Sequence, residues 1–264
     1  MNKSHPMAYV DPAARLGDNI EVGPFAYIDA GTEIGDGCRI LNGATIYNHV
    51  KMGRDCTVFP GAVVGAIPQD LKFEGEESWV EIGDRVNIRE CATVNRGTKA
   101  SGKGVTRIGS DTLIMSYAHI AHDCQIGNHC IIVSYVGLAG ETDVDDWAIL
   151  GGKSGSHQFS KVGTHAFVAA YAKITKDVPP YVLSGREPIV FEGVNRVGLL
   201  RRGFSEEQVN EIKAIYDAIY FQGMNTTQAL EYIEAHFPAS EHRDTILRFI
   251  RGSKRGIIPK LRPR

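Results

Sequence analysis

The chain has 264 residues, enough for one large domain or for one large and one small domain. Its 43% hydrophobic and 23% charged residues are typical of a soluble globular protein, and the formal net charge of −2 gives no indication of a nucleic-acid partner. No apolar run approaches the ~20 residues of a transmembrane helix, Met1 to Val10 lacks the apolar segment of a signal peptide, and the five cysteines contain no CxxC pair. We therefore expect a cytoplasmic protein with neither a transmembrane segment nor a disulfide framework.

The N-terminal part carries an apolar residue at every sixth position. These residues are Val10, Leu16, Val22, Ile28, Ile34, Ile40, Ile46, Met52, Val58 and Val64. A helix requires apolar spacings of three and four, and a lone strand requires a spacing of two. A period of six instead predicts a triangular β-solenoid, in which three short strands per turn each point one large apolar residue inward.

This register breaks twice and then continues. It is lost over 65–81 and over 97–107, and we interpret both stretches as loops inserted at corners of the solenoid. From Ile108 to Ile174 every sixth residue is apolar except Ser156. Eighteen residues make one turn, so the sequence predicts about ten turns and a prism roughly 45–50 Å long.

The pattern becomes helical near the C-terminus. Pro179 and Pro180 are predicted to end the solenoid, which gives a β-helix over 1–189 and a helical domain over 190–264. A capping box of Ser205 and Gln208 opens one helix, and Thr226 and Ser240 open two more, over 227–237 and 241–251. Between His242 and Arg264 there are eight Lys or Arg residues and one acid, either a solvated tail or a docking surface for an acidic partner.

Three histidines stand out as candidates for chemistry. His119 and His122 flank an inward-pointing isoleucine, and His157 follows about two turns later on a similar edge. A histidine can accept a proton from a hydroxyl at neutral pH, and Asp123 could orient that imidazole. The same three histidines could also supply the ligands of a zinc site, so the spacing alone leaves a carbonic-anhydrase-type zinc enzyme open.

Several motifs together resemble one family of hexapeptide-repeat enzymes. They are the loop Gln69-Asp70-Leu71-Lys72, the run His119-Ile120-Ala121-His122-Asp123-Cys124, the segment His157-Gln158-Phe159 and Asn195 with Arg201-Arg202-Gly203-Phe204. Their order and spacing are similar to those of the acyl-[acyl-carrier-protein]–UDP-N-acetylglucosamine O-acyltransferases. The resemblance covers essentially the whole chain, both loops and the helical tail included.

The resemblance implies a fold, a reaction and partners. The fold would be a left-handed parallel β-helix with a small C-terminal helical domain, assembled as a homotrimer with active sites between subunits. The reaction would transfer a (3R)-hydroxyacyl chain from acyl carrier protein to the glucosamine 3-hydroxyl of UDP-N-acetylglucosamine, the first step of lipid A biosynthesis, with no cofactor or metal. The acidic carrier protein would meet the basic C-terminal surface.

The resemblance also assigns roles to individual residues. His122 would be the general base, assisted by Asp123, and a backbone N–H at Gly140 would stabilise the oxyanion. Ala170 matches the position that limits acyl length, where a well-known member has glycine, and Glu141 replaces the histidine that is common in the family. The residues that match substrate-binding or activity positions are Gln69, Asp70, Lys72, His119, His157, Gln158, Asn195, Arg201 and Arg202.

Other readings of the sequence predict different behaviour. A sibling N-acyltransferase would prefer a UDP-3-amino sugar, and a zinc enzyme would lose activity in chelator. A non-catalytic scaffold would tolerate the loss of His122.

Overall fold

A computed structural model of the protein describes residues 2–261. Up to the first inserted loop the strands are β1 Lys3–Ser4, β2 Tyr9–Val10, β3 Arg15–Leu16, β4 Glu21–Val22, β5 Tyr27–Ile28, β6 Glu33–Ile34, β7 Arg39–Ile40, β8 Thr45–Ile46, β9 Val50–Met52, β10 Thr57–Val58 and β11 Val63–Ala66. Between the two loops lie β12 Trp79–Ile82, β13 Asn87–Ile88 and β14 Thr93–Asn95. The remaining strands are β15 Val105–Ile108, β16 Leu113–Ile114, β17 His119–Ile120, β18 Gln125–Ile126, β19 Ile131–Ile132, β20 Gly137–Leu138, β21 Asp143–Val144, β22 Ile149–Leu150, β23 Gly155–Ser156, β24 Lys161–Val162, β25 Phe167–Val168, β26 Lys173–Ile174, β27 Val182–Gly185 and β28 Val190–Val194.

These strands wind into a three-sided prism, as the period of six predicts. From β1 to β26 every third strand belongs to the same sheet, and β27 and β28 extend the sheet of β25. The described residues form an 11-stranded sheet 1 from β1, a 9-stranded sheet 2 from β2 and an 8-stranded sheet 3 from β3. Partners in neighbouring coils are 18 residues apart, as for Arg39 and Thr57. We call the three columns of corners edge 1/2, edge 2/3 and edge 3/1, after the sheets that they join.

The core is a stack of apolar side chains inside the prism. Ile28, Ile46, Ile120 and Leu138, all at the predicted inward positions, are 0% exposed. Burying each such side chain stabilises the fold by about 1.5–3 kcal/mol before the entropy cost of ordering it. Ser156, the polar exception, uses its hydroxyl: it accepts a hydrogen bond from the Ala139 N–H at 3.0 Å and lies 2.7 Å from the Thr142 hydroxyl.

The inward cysteines behave as small apolar residues. Cys38, Cys56, Cys124 and Cys130 are at most 1% exposed. Burial raises the pKa of the Cys124 and Cys130 thiols to about 12, so these sulfurs stay protonated and unreactive.

Many corners of the prism hold a residue other than glycine in a left-handed backbone conformation. Asp123, Glu141, Trp147 and His165 all have φ between 56° and 64°. A left-handed conformation costs a residue with a Cβ roughly 1–2 kcal/mol. The backbone hydrogen bonds that stack each corner on the previous one hold these residues in place, for example from Glu141 N–H to the His122 carbonyl at 3.0 Å.

Both inserted loops leave the prism at edge 2/3. The first runs over 67–78 between β11 and β12, and the second over 96–104 between β14 and β15, where it contains a short 3-10 helix, Lys99–Ser101. The strands next to the loops are longer than two residues, so the ends of the predicted 65–81 and 97–107 loops are strand rather than loop. Strands β12 and β15 pair over four residues, which ties the bases of the two loops together.

The helical domain follows a hairpin of β27 and antiparallel β28. Its helices are α1 Arg196–Arg201, α2 Glu206–Phe221, α3 Thr226–His236 and α4 Glu241–Arg251. Pro179 and Pro180 do not end the prism, since β27 still pairs parallel with β25. The sequence analysis missed α1, and Asn225 rather than Thr226 caps α3. The predicted caps Ser205 and Ser240 are confirmed.

The helical domain packs on the end of the prism through buried tyrosines. The Tyr216 hydroxyl donates to the Pro180 carbonyl at 2.6 Å, and the Tyr220 hydroxyl to the Ile258 carbonyl at 2.9 Å. Within residues 2–261 no helix has the length and apolar character needed to cross a bilayer.

Candidate active site

Edge 2/3 brings together several of the predicted site residues. His122, Gly140 and Gln158 occupy the same corner position in three successive coils, after β17, β20 and β23. The pairing of His119 with Gly137, and of Gly137 with Gly155, confirms that His157 lies two coils beyond His119. The two inserted loops leave the prism at this edge in the preceding coils.

His122 and Asp123 form a buried pair. The His122 Nδ1 atom lies 2.8 Å from Asp123 Oδ2, and the two residues are 8% and 0% exposed. An ionised carboxylate can only accept, so Nδ1 carries the proton and donates. The Nε2 atom is then left with a free lone pair.

The second inserted loop surrounds the Asp123 carboxylate. The Thr98 backbone N–H lies 3.0 Å from both carboxylate oxygens, and the Thr98 hydroxyl donates to Oδ2 at 2.8 Å. The Asp123 N–H donates to the Thr106 hydroxyl at 2.8 Å. These hydrogen bonds replace the hydration that a buried carboxylate loses.

The first inserted loop places Asp70 opposite the pair. Asp70 Oδ2 lies 3.6 Å from His122 Nε2, the nitrogen that Asp123 leaves free. The Lys72 N–H donates to Asp70 Oδ1 at 3.0 Å and closes a tight turn around this carboxylate. Gln69 and Lys72 are exposed on the same loop.

Gly140 packs directly against the His122 ring. A Cβ at position 140 would lie 2.4 Å from His122 Nε2, so only glycine leaves room for the imidazole. Within residues 2–261 the Gly140 N–H has no hydrogen-bond partner, which leaves it free to bind an oxyanion. Burial and the nearby Asp123 raise the pKa of Glu141, which follows it.

The remaining histidines of this edge are less enclosed. His119 Nδ1 lies 2.7 Å from the Thr93 hydroxyl, and burial together with His122 lowers the pKa of His119. His157 is exposed. The Gln158 carbonyl accepts from Arg255 Nη1 at 3.3 Å, which connects this edge to the segment after α4.

Asn195 and Arg202 lie elsewhere, at edge 3/1. Asn195 caps α1 by accepting from the Gly198 N–H at 3.3 Å, and its amide donates to the His165 carbonyl at 3.0 Å. Arg202 donates to His165 Nδ1 at 3.2 Å, and its guanidinium lies 5.3 Å from the centre of the Trp147 ring. Burial lowers the pKa of Arg202. Arg201 is exposed at the last turn of α1.

Ala170 lies at the third edge. It follows β25 and precedes β26, which puts it at edge 1/2, where it is exposed beside Tyr171. The predicted site residues of one chain are therefore distributed over all three edges of the prism. Among the described residues, His122 contacts Asp70, Asp123 and Gly140, which makes it the centre of the group that one chain brings together.

A metal ion requires a convergent ligand set, which the described part of the chain does not provide. Across residues 2–261 no three His, Cys, Asp or Glu side chains converge as they would around a metal ion. The described residues of a single chain therefore do not form the three-histidine centre that the zinc-enzyme alternative needs.

Comparison with known proteins identifies the family. A model described as UDP N-acetylglucosamine O-acyltransferase, domain 2, matches residues 177–258, and one for six transferase hexapeptide repeats matches 13–48, 31–66 and 106–140. The chain is 47% identical over 98% of its length to the whole of a Janthinobacterium acyl-[acyl-carrier-protein]–UDP-N-acetylglucosamine O-acyltransferase. The chain belongs to this family of acyltransferases.

Solved structures of UDP-N-acetylglucosamine acyltransferases have the same fold. The Bacteroides fragilis enzyme is 48% identical with a TM-score of 0.94, over 96% of this chain and 99% of that one. The Francisella novicida enzyme is 38% identical with a TM-score of 0.94, over 98% and 94%. The predicted left-handed parallel β-helix with a small helical domain is thus confirmed.

The sequence did not indicate the residues that hold the site residues in place by contacting Asp123 or Arg202. Thr98 and Thr106 lie in or next to an inserted loop, outside the period of six, and nothing in their spacing points to Asp123. His165 and Trp147 stack along edge 3/1 with ring centres 5.9 Å apart. Their spacing of one full turn was a signal that could have indicated this stacking, but not their contact with Arg202.

Proposed function

We propose that the protein transfers a (3R)-hydroxyacyl chain from acyl carrier protein to the glucosamine 3-hydroxyl of UDP-N-acetylglucosamine, the first step of lipid A biosynthesis. One observation carries the proposal: a buried histidine with Nδ1 held by a carboxylate and Nε2 free, in a chain of the acyltransferase family. This is the arrangement that general-base activation of a hydroxyl requires.

The reaction follows from this geometry. His122 Nε2 takes the proton of the sugar 3-hydroxyl while the oxygen attacks the thioester carbonyl carbon. The Gly140 N–H stabilises the resulting oxyanion. Collapse of this intermediate breaks the carbon–sulfur bond, and the His122 imidazolium returns its proton to the departing carrier thiolate. Asp123 stabilises the imidazolium between these steps.

A second copy of the chain would complete the site. Asn195 and Arg202 lie at edge 3/1 and Ala170 at edge 1/2, so binding one substrate with these residues and His122 needs a cleft between subunits. Sheet 1 also presents a partly exposed outward row of apolar residues, which consists of Leu113, Ile131, Ile149 and Phe167. Such a row favours contact with another subunit, and we infer a homotrimer in which the cleft joins the sugar-nucleotide and acyl residues to His122.

The carrier protein would bind the basic C-terminal surface. This surface is less positive than its sequence suggests, because Arg251 pairs with Glu234 and Arg243 with Asp244. Arg248 and Lys254 have no ion-pair partner among residues 2–261 and are available to an acidic partner. Arg262 and Arg264 of the predicted basic tail lie outside the described residues. A cytoplasmic location, where this substrate would be met, stays a prediction.

The experiment that tests the function is an acyl-transfer assay in EDTA. Purified protein is given UDP-N-acetylglucosamine and 3-hydroxyacyl carrier proteins of several chain lengths. We expect a 3-O-acyl product with one preferred length, since general-base chemistry by His122 needs no chelatable metal. The same assay with the 3-amino sugar analogue is the control: transfer only to the amine would replace this proposal by an N-acyltransferase.

A further inference from the structure

The second inserted loop forms hydrogen bonds to the Asp123 carboxylate, which in turn accepts from His122. We propose that Thr98 is a positioning residue that holds Asp123 so that His122 keeps its proton on Nδ1 and presents Nε2 to the substrate. This inference deepens the proposed function and rests on it. Thr98 does not contact His122 itself, so its action passes through Asp123.

The hydrogen bonds around Thr98 leave its hydroxyl one orientation. Thr98 is 1% exposed and Asp123 is 0% exposed, so water cannot substitute for either group. The hydroxyl accepts from the Ser101 N–H at 3.3 Å and therefore directs its own hydrogen to Asp123 Oδ2 at 2.8 Å. The same Oδ2 atom accepts from His122 Nδ1. The Thr98 hydroxyl and His122 Nδ1 thus donate to the same carboxylate oxygen, Asp123 Oδ2.

Residues at both ends of the loop also pack against Asp123. A Cβ at Gly97 would lie 2.7 Å from Asp123 Oδ1 and 2.2 Å from the Val105 nitrogen, so the loop passes against the carboxylate. At the other end of the loop, the Asp123 N–H donates to the Thr106 hydroxyl. The insertion therefore encloses Asp123 from two directions.

The test compares two size-matched Thr→Val substitutions and one Thr→Ser substitution. Thr98→Val removes the hydroxyl and keeps the shape and the backbone N–H, while Thr98→Ser keeps the hydroxyl. Thr112→Val is the control, because Thr112 is 1% exposed and its hydroxyl donates to the Gly127 carbonyl at 3.0 Å at edge 3/1. We expect Thr98→Val to lower kcat by about 10- to 100-fold with little change in KM, and Thr98→Ser and Thr112→Val to remain near wild type.

Two further readouts separate positioning from general damage. In an Asp123→Asn background, Thr98→Val should change kcat by less than about threefold, because the route from Thr98 to His122 is already broken. Nitrogen-15 NMR of histidine-labelled full-length protein should show His122 protonated at Nδ1. Thr98→Val should reduce that signal, while Thr98→Ser and Thr112→Val should not.

The outcomes distinguish this inference from the proposed function. If Thr98→Val leaves the His122 signal unchanged, or lowers kcat equally in both backgrounds, the positioning role is wrong. If the His122 signal depends on Thr98 but the wild-type protein transfers no acyl chain, the positioning role stands and the proposed function falls.

Discussion

At the scale of single residues, His122 has different surroundings at its two ring nitrogens, and this asymmetry decides which nitrogen faces the open side of the site. Asp123 accepts from Nδ1 at 2.8 Å, whereas Nε2 faces Asp70 Oδ2 at 3.6 Å and the backbone of Gly140. The sequence predicted the histidine and its neighbouring carboxylate. It did not predict that the corner would turn both side chains toward each other, because neighbours along an ordinary strand point to opposite faces.

Loss of the His122 imidazole tests its role as the base. We expect His122→Ala to reduce acyl transfer by roughly 10²–10⁴-fold, the usual contribution of general-base catalysis, with the fold retained. The rate is measured with acyl carrier protein at saturation, and the fold by circular dichroism. His236→Ala, at an exposed histidine in the last turn of α3, is the matched control. A folded His122→Ala variant with undiminished transfer would remove the assignment.

At the scale of elements, α1 is attached to the prism through His165. Asn195 at the start of α1 and Arg202 at its end both bond to this histidine. Burial and the charge of Arg202 lower the pKa of His165 to about 4, and Asp146 and His242 are the other titratable groups facing it. His165 is therefore neutral at pH 7 and accepts from the guanidinium.

This attachment predicts a pH dependence of stability. The folded pKa of His165, about 4, lies below the ordinary value of about 6.5, so the unfolded chain takes up its proton first. The free energy of unfolding should fall as the pH drops from about 6.5 to about 4. His165→Gln should make this fall smaller by about 1–2 kcal/mol, a figure reduced for partial exposure. Urea unfolding at several pH values measures it. His236→Gln is the control, and equal slopes for His165→Gln and wild type would contradict the prediction.

At the scale of the whole molecule, the three edges carry different parts of one proposed site. Edge 2/3 holds His122, edge 3/1 holds Arg202 and edge 1/2 holds Ala170. A straight prism cannot bring its own edges together. The assembly of several prisms side by side is the arrangement in which these residues could face one substrate.

The apolar row on sheet 1 gives a direct test of this assembly. We expect light scattering to give three times the chain mass of 28.9 kDa, and Ile131→Asp to yield smaller, inactive species, since a buried charge in an interface is costly. Asn87→Asp is the control. Asn87 also points outward from sheet 1, but it lies two coils before Ile131 and outside the apolar row. An active, fully assembled Ile131→Asp protein would show that this face is not the contact.

The sequence by itself determined the solenoid. Each inward residue from Val22 to Ile174 is buried by the coils next to it, so the period of six can be recognised in the sequence without knowledge of distant contacts. The same reasoning found the two insertions and the candidates His119, His122, His157 and Asp123, and the family resemblance then chose His122 as the base. It placed their ends imperfectly, because β12 and β15 extend by pairing with each other across 26 residues.

Only the tertiary structure decided which groups support the candidate site. Thr98 reaches Asp123 across 25 residues, and Asn195 reaches the His165 carbonyl across 30. Neither loop 96–104 nor α1 follows the repeat, so their positions depend on packing against coils that the local sequence does not specify. The repeat determines where each corner lies. The insertions and the helical domain determine which side chains and backbone groups pack against that corner.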